Sequence, residues 1–343
     1  MYVDHNRATV VFDTLVAAVI AKKFPYDGTN TPQSIVGEKL ASYTDKQRAL
    51  FWFFLCMYMR GPVKSNYAAS KLFEIFEAQN GGGIFDPDCR YSSMPECIDV
   101  VMEHFGFTRL LSDVKKFWPH ASKLLADKYD GDPRNIFAKT KSFDDIETRV
   151  RYDKKTGQGF LGFQKKMSSM LAYFLRDQGL IDLYDFPPPV DFHLMRIMVL
   201  TGVLKFNNGD PRKFRYETSS VVGYRAIEKY RKRTGVDPIL LGDALWLLSG
   251  NLCSLSPKNQ EHLAFGTFCE ESIKKAPLSK KKRLVKHPGL FDHHDIYLHL
   301  RVNDVSLRMR QTCGMCPATQ FCIGRIPAVE YYNYGLIEYT ENI

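Results

Sequence analysis

Residues 313–322 read Cys-Gly-Met-Cys-Pro-Ala-Thr-Gln-Phe-Cys, so three of the eight cysteines of the chain lie within one short stretch. Disulfides are rare in a reducing compartment, and closely spaced thiolates on a tight turn are typical of a metal or cluster site. Three thiolates do not complete the ligand set of a cubane cluster or of a tetrahedral zinc ion. Cys253 and Cys269 are the candidates for the fourth ligand.

This pattern resembles the last three cysteines of the endonuclease III and adenine-glycosylase branch of the helix–hairpin–helix DNA glycosylases. In that branch the full pattern is C-x6-C-x2-C-x5-C, and the first cysteine follows a helix that ends in apolar-Gly-x-x-Cys. Leu248-Ser-Gly-Asn-Leu-Cys253 fits this ending, whereas Ser306 occupies the position that the six-residue spacing would give to the first cysteine. The ligands that the resemblance implies for a 4Fe–4S cluster are Cys253, Cys313, Cys316 and Cys322.

The departure from the family pattern is an inserted basic segment at about 254–312, which contains Cys269 and the pair His293-His294. A run of lysines and arginines at 274–286 has the composition of an exposed loop. Such a run is either a solvated charged surface or a contact to the DNA backbone.

The three prolines at 187–189 are the sharpest break in the chain and predict a hinge between domains. A second match follows them directly. Val190-Asp-Phe-His-Leu-Met-Arg196 opens an apolar segment, and an Asp at this place is a good helix N-cap. The stretch also resembles the family's V-D-x-H-x-x-R segment, which carries the catalytic aspartate at a helix N-terminus. The resemblance implies Asp191 as the catalytic carboxylate and His193 and Arg196 as DNA-binding residues.

A third match is Phe160-Leu-Gly-Phe-Gln-Lys-Lys-Met167, which resembles the family's hairpin consensus L-P-G-x-G-x-K. Leu161 replaces the proline of the consensus, and glutamine replaces its second glycine. A hairpin of this kind offers backbone N–H groups to a DNA phosphate, whereas a lysine pair opening a surface helix is the simpler interpretation. The resemblance implies Lys166 as the lyase nucleophile, with Lys165 as the alternative, and it implies as DNA contacts Gly162, Gln164 and Lys165.

A fourth match is the stretch from Cys56 to Tyr67, which follows an aromatic segment. It is similar to the family's wedge turn, which enters the duplex and fills the gap left by an extruded base. An ordinary connection between two helices is the alternative. The residues implied as DNA contacts are Arg60, Lys64, Ser65 and Asn66.

The hydrophobic pattern predicts an all-α fold, because apolar residues recur at i, i+3 and i+4 in most segments. The resemblance implies two helical domains, with the active-site cleft between them. One is a helical barrel-like domain at 45–180 with the wedge turn and the hairpin, and the other joins 1–44 to 181–343 and holds the cluster. The segments with helical periodicity are 10–23, 47–59, 68–79, 97–105, 110–128 and 164–178.

The bulk properties agree with a nucleic-acid partner. The net charge of +9 and the pI of about 9.0 favour a polyanion. No apolar run reaches the roughly 18 residues of a membrane span, and the N-terminus lacks a basic leader. We therefore expect a cytoplasmic, DNA-associated monomer that binds double-stranded DNA and no membrane.

The order of the motifs along the chain is that of the family: wedge turn, hairpin, aspartate, first cysteine, cysteine trio. The resemblance implies a DNA glycosylase that flips a modified or damaged base out of the duplex and cleaves its N-glycosidic bond, with or without lyase activity. Its role would be base-excision repair or defence against phage with modified DNA. One alternative is a non-catalytic iron–sulfur or zinc protein that binds nucleic acid, and another is an enzyme acting on RNA or on a free nucleoside.

Overall fold

Helices account for nearly all the secondary structure of the residues that the structure describes. The structure is a computed structural model that describes residues 2–28, 31–59, 63, 65–140, 142–183, 185–205, 216–250 and 315–322. The all-α class predicted from the sequence is confirmed, and none of the helices in these ranges is long and apolar enough to cross a membrane. The helices are α1 (His5–Ile20), α2 (Pro32–Leu40), α3 (Asp45–Cys56), α4 (Ser65–Ala78), α5 (Pro95–His104), α6 (Leu111–Tyr129), α7 (Phe143–Val150), α8 (Lys165–Asp177), α9 (Phe192–Leu200), α10 (Tyr216–Thr234) and α11 (Pro238–Leu248).

The chain divides into two units. The terminal unit joins Met1–Thr29 to Val190–Ile343, and the central unit is Asn30–Pro189. One boundary follows the proline run directly, where the sequence predicts a break. The sequence-based division assigned 30–44 and 181–189 to the other domain, and the structure places both with the central unit. For the first of these segments the reason is packing, because α2 lies against α4.

The central unit is built around α3. Every residue from Ala49 to Cys56 is at most 2% exposed. Phe54 stacks on Trp118 of α6 with a centroid distance of 4.0 Å, and Trp52 packs against Phe174 of α8 at 4.9 Å. A helix that is apolar all round must be surrounded by other elements, and here α4 and α8 lie against it.

The terminal unit packs α1 against α10 and α11, and α9 against the same two helices. Two short strands, β1 (Tyr2–Val3) and β2 (Leu204–Lys205), pair antiparallel and join the start of the chain to the residues after α9. The sequence does not predict this pair, because two-residue strands are too short to show alternation. Residues 315–322, called here the cysteine turn, add Ala318 and Phe321 to the core of this unit.

The six helices predicted from periodicity are α1, α3, α4, α5, α6 and α8, and all six form. In α1 and α3 a capping residue sets the start. The helix α1 begins at His5 because Asp4 Oδ1 accepts a hydrogen bond from the Arg7 N–H at 2.9 Å. The helix α3 begins after Thr44, which forms a reciprocal capping box with Gln47.

Candidate active site

A compact loop, residues 151–164, joins α7 to α8 and contains the predicted hairpin; it is called here the hairpin loop. Its backbone is closed by hydrogen bonds from Phe160 N to Val150 O and from Tyr152 N to Phe163 O, both 3.0 Å long. Phe160 and Phe163 are buried, and Phe163 stacks on an aromatic ring of α3 at 5.2 Å. The hairpin loop is therefore fixed to the central helix of its unit.

Two glycines give the hairpin loop its shape. Gly159 has a φ of +80°, and a Cβ at this position would overlap the backbone carbonyl of Arg151. Gly162, the glycine that matches the family consensus, has a φ of +88°. Both backbones lie in the left-handed region, which other residues rarely adopt.

The helix α8 begins with two lysines. Gln164 is its N-cap residue, and the Gln164 side chain makes no capping hydrogen bond. Lys165 is half exposed, with its Nζ 3.6 Å from Glu147 Oε2 of α7. Positive charge in the first turn opposes the helix dipole, so an anion at this end would be stabilised by both the lysines and the backbone N–H groups.

Lys166 points toward the end of α3. Its Nζ donates a hydrogen bond to the backbone carbonyl of Met59 at 2.8 Å. Burial raises the pKa of the nearby Cys56 thiol, and the Lys166 charge partly opposes this shift. The structure thus brings the predicted lyase nucleophile to the start of the predicted wedge turn.

The predicted wedge turn is described only in part. Arg60 and Lys64 lie outside the described residues. Ser65 and Asn66 form the first turn of α4 and are half-buried, and their role as DNA contacts stays a prediction. Tyr67, which follows them, is 44% exposed.

Sequence reasoning missed a histidine contact to the hairpin loop. The backbone N–H of Leu161 donates to His120 Nδ1 of α6 at 3.3 Å. Burial lowers the pKa of His120, which favours the neutral ring that this contact needs. No pattern in the local sequence indicates the contact, because the two residues are 41 positions apart.

Asp191 lies at the N-terminus of α9 and is 5% exposed. Its Oδ1 accepts hydrogen bonds from the N–H groups of His193 at 2.9 Å and of Leu194 at 3.2 Å. These donors and the positive end of the helix dipole stabilise the negative charge of the carboxylate. The helix cap predicted from the sequence is therefore present, and catalysis by Asp191 stays a prediction.

His193, the next polar residue of the predicted motif, contacts the end of α11. The His193 ring is partly buried, with Nδ1 2.9 Å from Ser249 Oγ and its centroid 5.4 Å from that of Trp246. Ser249 is fully buried and directly follows α11. The predicted role of His193 in DNA binding stays a prediction, as does that of Arg196, whose side chain lies outside the described part of the structure.

Two of the predicted cluster ligands are described. Cys316 and Cys322 lie in the cysteine turn and are half-buried, and the N–H of Cys322 bonds to the carbonyl of Ala318 at 2.9 Å. Cys253 and Cys313 lie outside the described residues, as does the inserted segment with Cys269. The described residues contain no group of three or more potential metal ligands.

The local geometry of the cysteine turn is compatible with a thiolate-bound cofactor. Its two cysteines are carried by a single short turn, and this turn is anchored in the core through Ala318 and Phe321. A fixed turn can present both thiolates to one centre. The donor chemistry suits a 4Fe–4S cluster or zinc equally well.

Arg7 is a second residue that sequence reasoning missed. Its Nε donates to the backbone carbonyl of Thr201, directly after α9, and its Nη2 donates to the carbonyl of Phe321, both at 2.9 Å. Its Cζ lies 5.0 Å from the centroid of the Phe321 ring. One side chain thus connects α1, the end of α9 and the cysteine turn.

Comparison of the chain with protein-family models, with curated proteins and with solved structures finds no match.

Proposed function

We propose that the chain is a DNA glycosylase that extrudes a modified base from duplex DNA and cleaves the bond between that base and its sugar. The observation that carries the proposal is the hairpin loop, in which two left-handed glycines lead into a helix that opens with two lysines. Such a helix start offers N–H groups and positive charge to a DNA phosphate. The net charge of +9 supports a polyanionic partner.

Asp191 is the proposed catalytic residue. A base inside a duplex is inaccessible, so the enzyme must first move the nucleotide into a pocket, at a cost of a few kcal/mol. As the base leaves, positive charge develops on the sugar. A carboxylate that is fixed by two backbone N–H groups and shielded from bulk water can stabilise that charge and help to activate the attacking nucleophile.

Lys166 is the proposed nucleophile of a lyase step. In the bifunctional reaction its amine attacks the sugar, forms a Schiff base and leads to a nick, whereas in the monofunctional reaction water attacks and leaves an intact abasic site. The Lys166 Nζ donates a hydrogen bond to the carbonyl oxygen of Met59. The amine must leave the carbonyl and lose a proton before it can attack.

The proposed cofactor is a 4Fe–4S cluster, with zinc as the alternative. Cys316 and Cys322 would hold it together with Cys313 and with either Cys253 or Cys269. When bound, the group supplies a structural cross-link between the segments that carry its ligands.

The proposed target is a bulky modified base in phage DNA, which would give the enzyme a defensive role. Two departures from the family pattern support an unusual substrate: the inserted segment at about 254–312, and the replacement of consensus residues in the hairpin by Leu161 and Gln164. Base-excision repair of ordinary damaged bases is the competing role.

The experiment is a panel of modified duplexes and phage genomic DNAs, each incubated with the purified protein and analysed with and without alkali. RNA, which alkali itself hydrolyses, is added only as a competitor for binding. Breaks that appear only after alkali indicate base removal, and breaks without alkali indicate an added lyase step. Cleavage of phage DNA carrying bulky bases, with unmodified DNA intact, is the expected result. Base release of equal extent from all ordinary damaged duplexes, together with none from phage DNA, would contradict the defensive role.

A second candidate function is a nucleic-acid-binding protein without catalysis. The specific observation in its favour is that Asp191 caps α9, which by itself gives the residue a structural role. Binding of duplex DNA without any base release from the whole panel would support this candidate over the glycosylase. Absorbance near 400 nm separates a cluster from zinc in either case.

A further inference from the structure

The helix α9, which carries Asp191 at its N-terminus, is contacted by other elements of its unit at its first turn and after its last turn. At its first turn, His193 Nδ1 lies 2.9 Å from Ser249 Oγ, and Ser249 precedes Cys253 by four positions. After its last turn, the carbonyl of Thr201 accepts a hydrogen bond from Arg7. The same guanidinium donates to the carbonyl of the residue before Cys322.

The chemistry of Arg7 suits a connection of this kind. A guanidinium is planar and presents its N–H groups at fixed angles, so two carbonyls that it binds together are held at a fixed separation. Hydrogen bonds from a charged donor are also stronger than those between neutral groups. Thr201 is 1% exposed and Phe321 is 8% exposed, so little water is available to replace either bond.

We propose that Arg7 is a positioning residue that couples the cysteine turn to the position of Asp191. A change at the cysteines of this turn reaches the end of α9 through the two bonds of Arg7. The catalytic meaning of the coupling rests on the proposed function of Asp191. The coupling itself can be measured without DNA.

The first test compares hydrogen exchange in the full-length wild type with that in the double variant Cys316→Ser/Cys322→Ser. Loss of one bond from a charged donor changes a local opening equilibrium by about tenfold or more. We therefore expect amides of α9 to exchange at least about tenfold faster in the double variant. The buried amides of α3, in the central unit, serve as the internal reference and should not change.

The second test uses Arg7→Met, which removes both bonds but keeps an apolar stem. Exchange should accelerate in α9 and in the cysteine turn together, and the two cysteine substitutions should add nothing further to exchange in α9. Arg7→Lys keeps the charge but replaces the planar guanidinium by a single nitrogen, so it should restore only part of the protection. The matched control is Lys205→Met, which removes the nearby 2.7 Å ion pair with Asp4 and should keep the full response to the cysteine substitutions.

The proposal is overturned if the cysteine substitutions leave exchange in α9 unchanged, or if their effect adds fully to that of Arg7→Met. On a DNA that the protein cleaves, Arg7→Met should lower kcat and leave KM unchanged, because Arg7 acts through Asp191. If exchange responds as expected but no DNA is cleaved, the coupling stands and the glycosylase function fails. If DNA is cleaved without any exchange response, the glycosylase stands and the coupling fails.

Discussion

Asp191 caps α9 and is the proposed catalytic residue, and two substitutions separate the observed role from the proposed one. Its Oδ1 caps α9 through two N–H groups, whereas the proposed catalysis needs its negative charge. Asn is about as good an N-cap as Asp, so Asp191→Asn should change the free energy of unfolding by only a few tenths of a kcal/mol. Asp191→Ala removes the acceptor and should cost about 1 kcal/mol. Both should lower base release by at least about a hundredfold, because neither keeps the charge.

The matched control is Asp237, which caps α11 in the same unit. Its Oδ1 accepts from Ile239 N at 2.8 Å and from Leu240 N at 3.5 Å. Asp237→Ala should therefore destabilise the protein by a similar amount and leave base release unchanged. Urea unfolding measures the stability of each variant, and single-turnover base release followed by alkali cleavage measures the activity.

The outcomes are distinct. If Asp191→Asn keeps wild-type activity, the carboxylate charge is not used and Asp191 is only a helix cap. If Asp237→Ala loses as much activity as Asp191→Ala, the loss reflects stability and carries no information on catalysis. Only activity loss in Asp191→Asn, with stability preserved, supports the proposed mechanism.

Three further predictions concern the hairpin loop and the two lysines that follow it. Gly159→Ala forces a Cβ against a backbone carbonyl and should lower the free energy of unfolding in urea by about 2–3 kcal/mol. Gly157 has a φ of +69° but open space around it, so Gly157→Ala should cost only about 1 kcal/mol. Equal losses would contradict the steric argument. Burial lowers the pKa of His120, so the contribution of the neutral ring to stability is complete above the unfolded pKa of about 6.5 and is lost as the pH falls. Hydrogen exchange in the hairpin loop, corrected for its intrinsic pH dependence, should therefore accelerate between pH 7.5 and pH 5.5 in the wild type. It should not accelerate in His120→Asn. Borohydride should trap the protein covalently on abasic DNA. Lys166→Gln should abolish this adduct and Lys165→Gln should keep it, because Lys165 is paired with Glu147 of α7. The reverse pattern would reassign the nucleophile to Lys165.

The sequence by itself determined the helical class, the six periodic helices and the break after the prolines. It also determined the cap at Asp191, because a helix N-cap depends on the capping residue and on the next two or three positions. The glycine of the hairpin can also be predicted from the local sequence, since the left-handed backbone at Gly162 is a requirement of the turn itself. Such features can be read from neighbouring residues.

Only the tertiary structure decided which distant groups meet these local features. Lys166 reaches Met59 across 107 positions, His193 meets Ser249 across 56, and Arg7 bonds carbonyls that lie 194 and 314 positions away. Two of these three contacts end on backbone carbonyls, which every residue carries, so no side-chain pattern indicates the partner. The packing of α3 against α8 in the central unit, and of α1, α9 and α11 in the terminal unit, determines which carbonyl comes within hydrogen-bond distance. Such packing is a property of the whole unit.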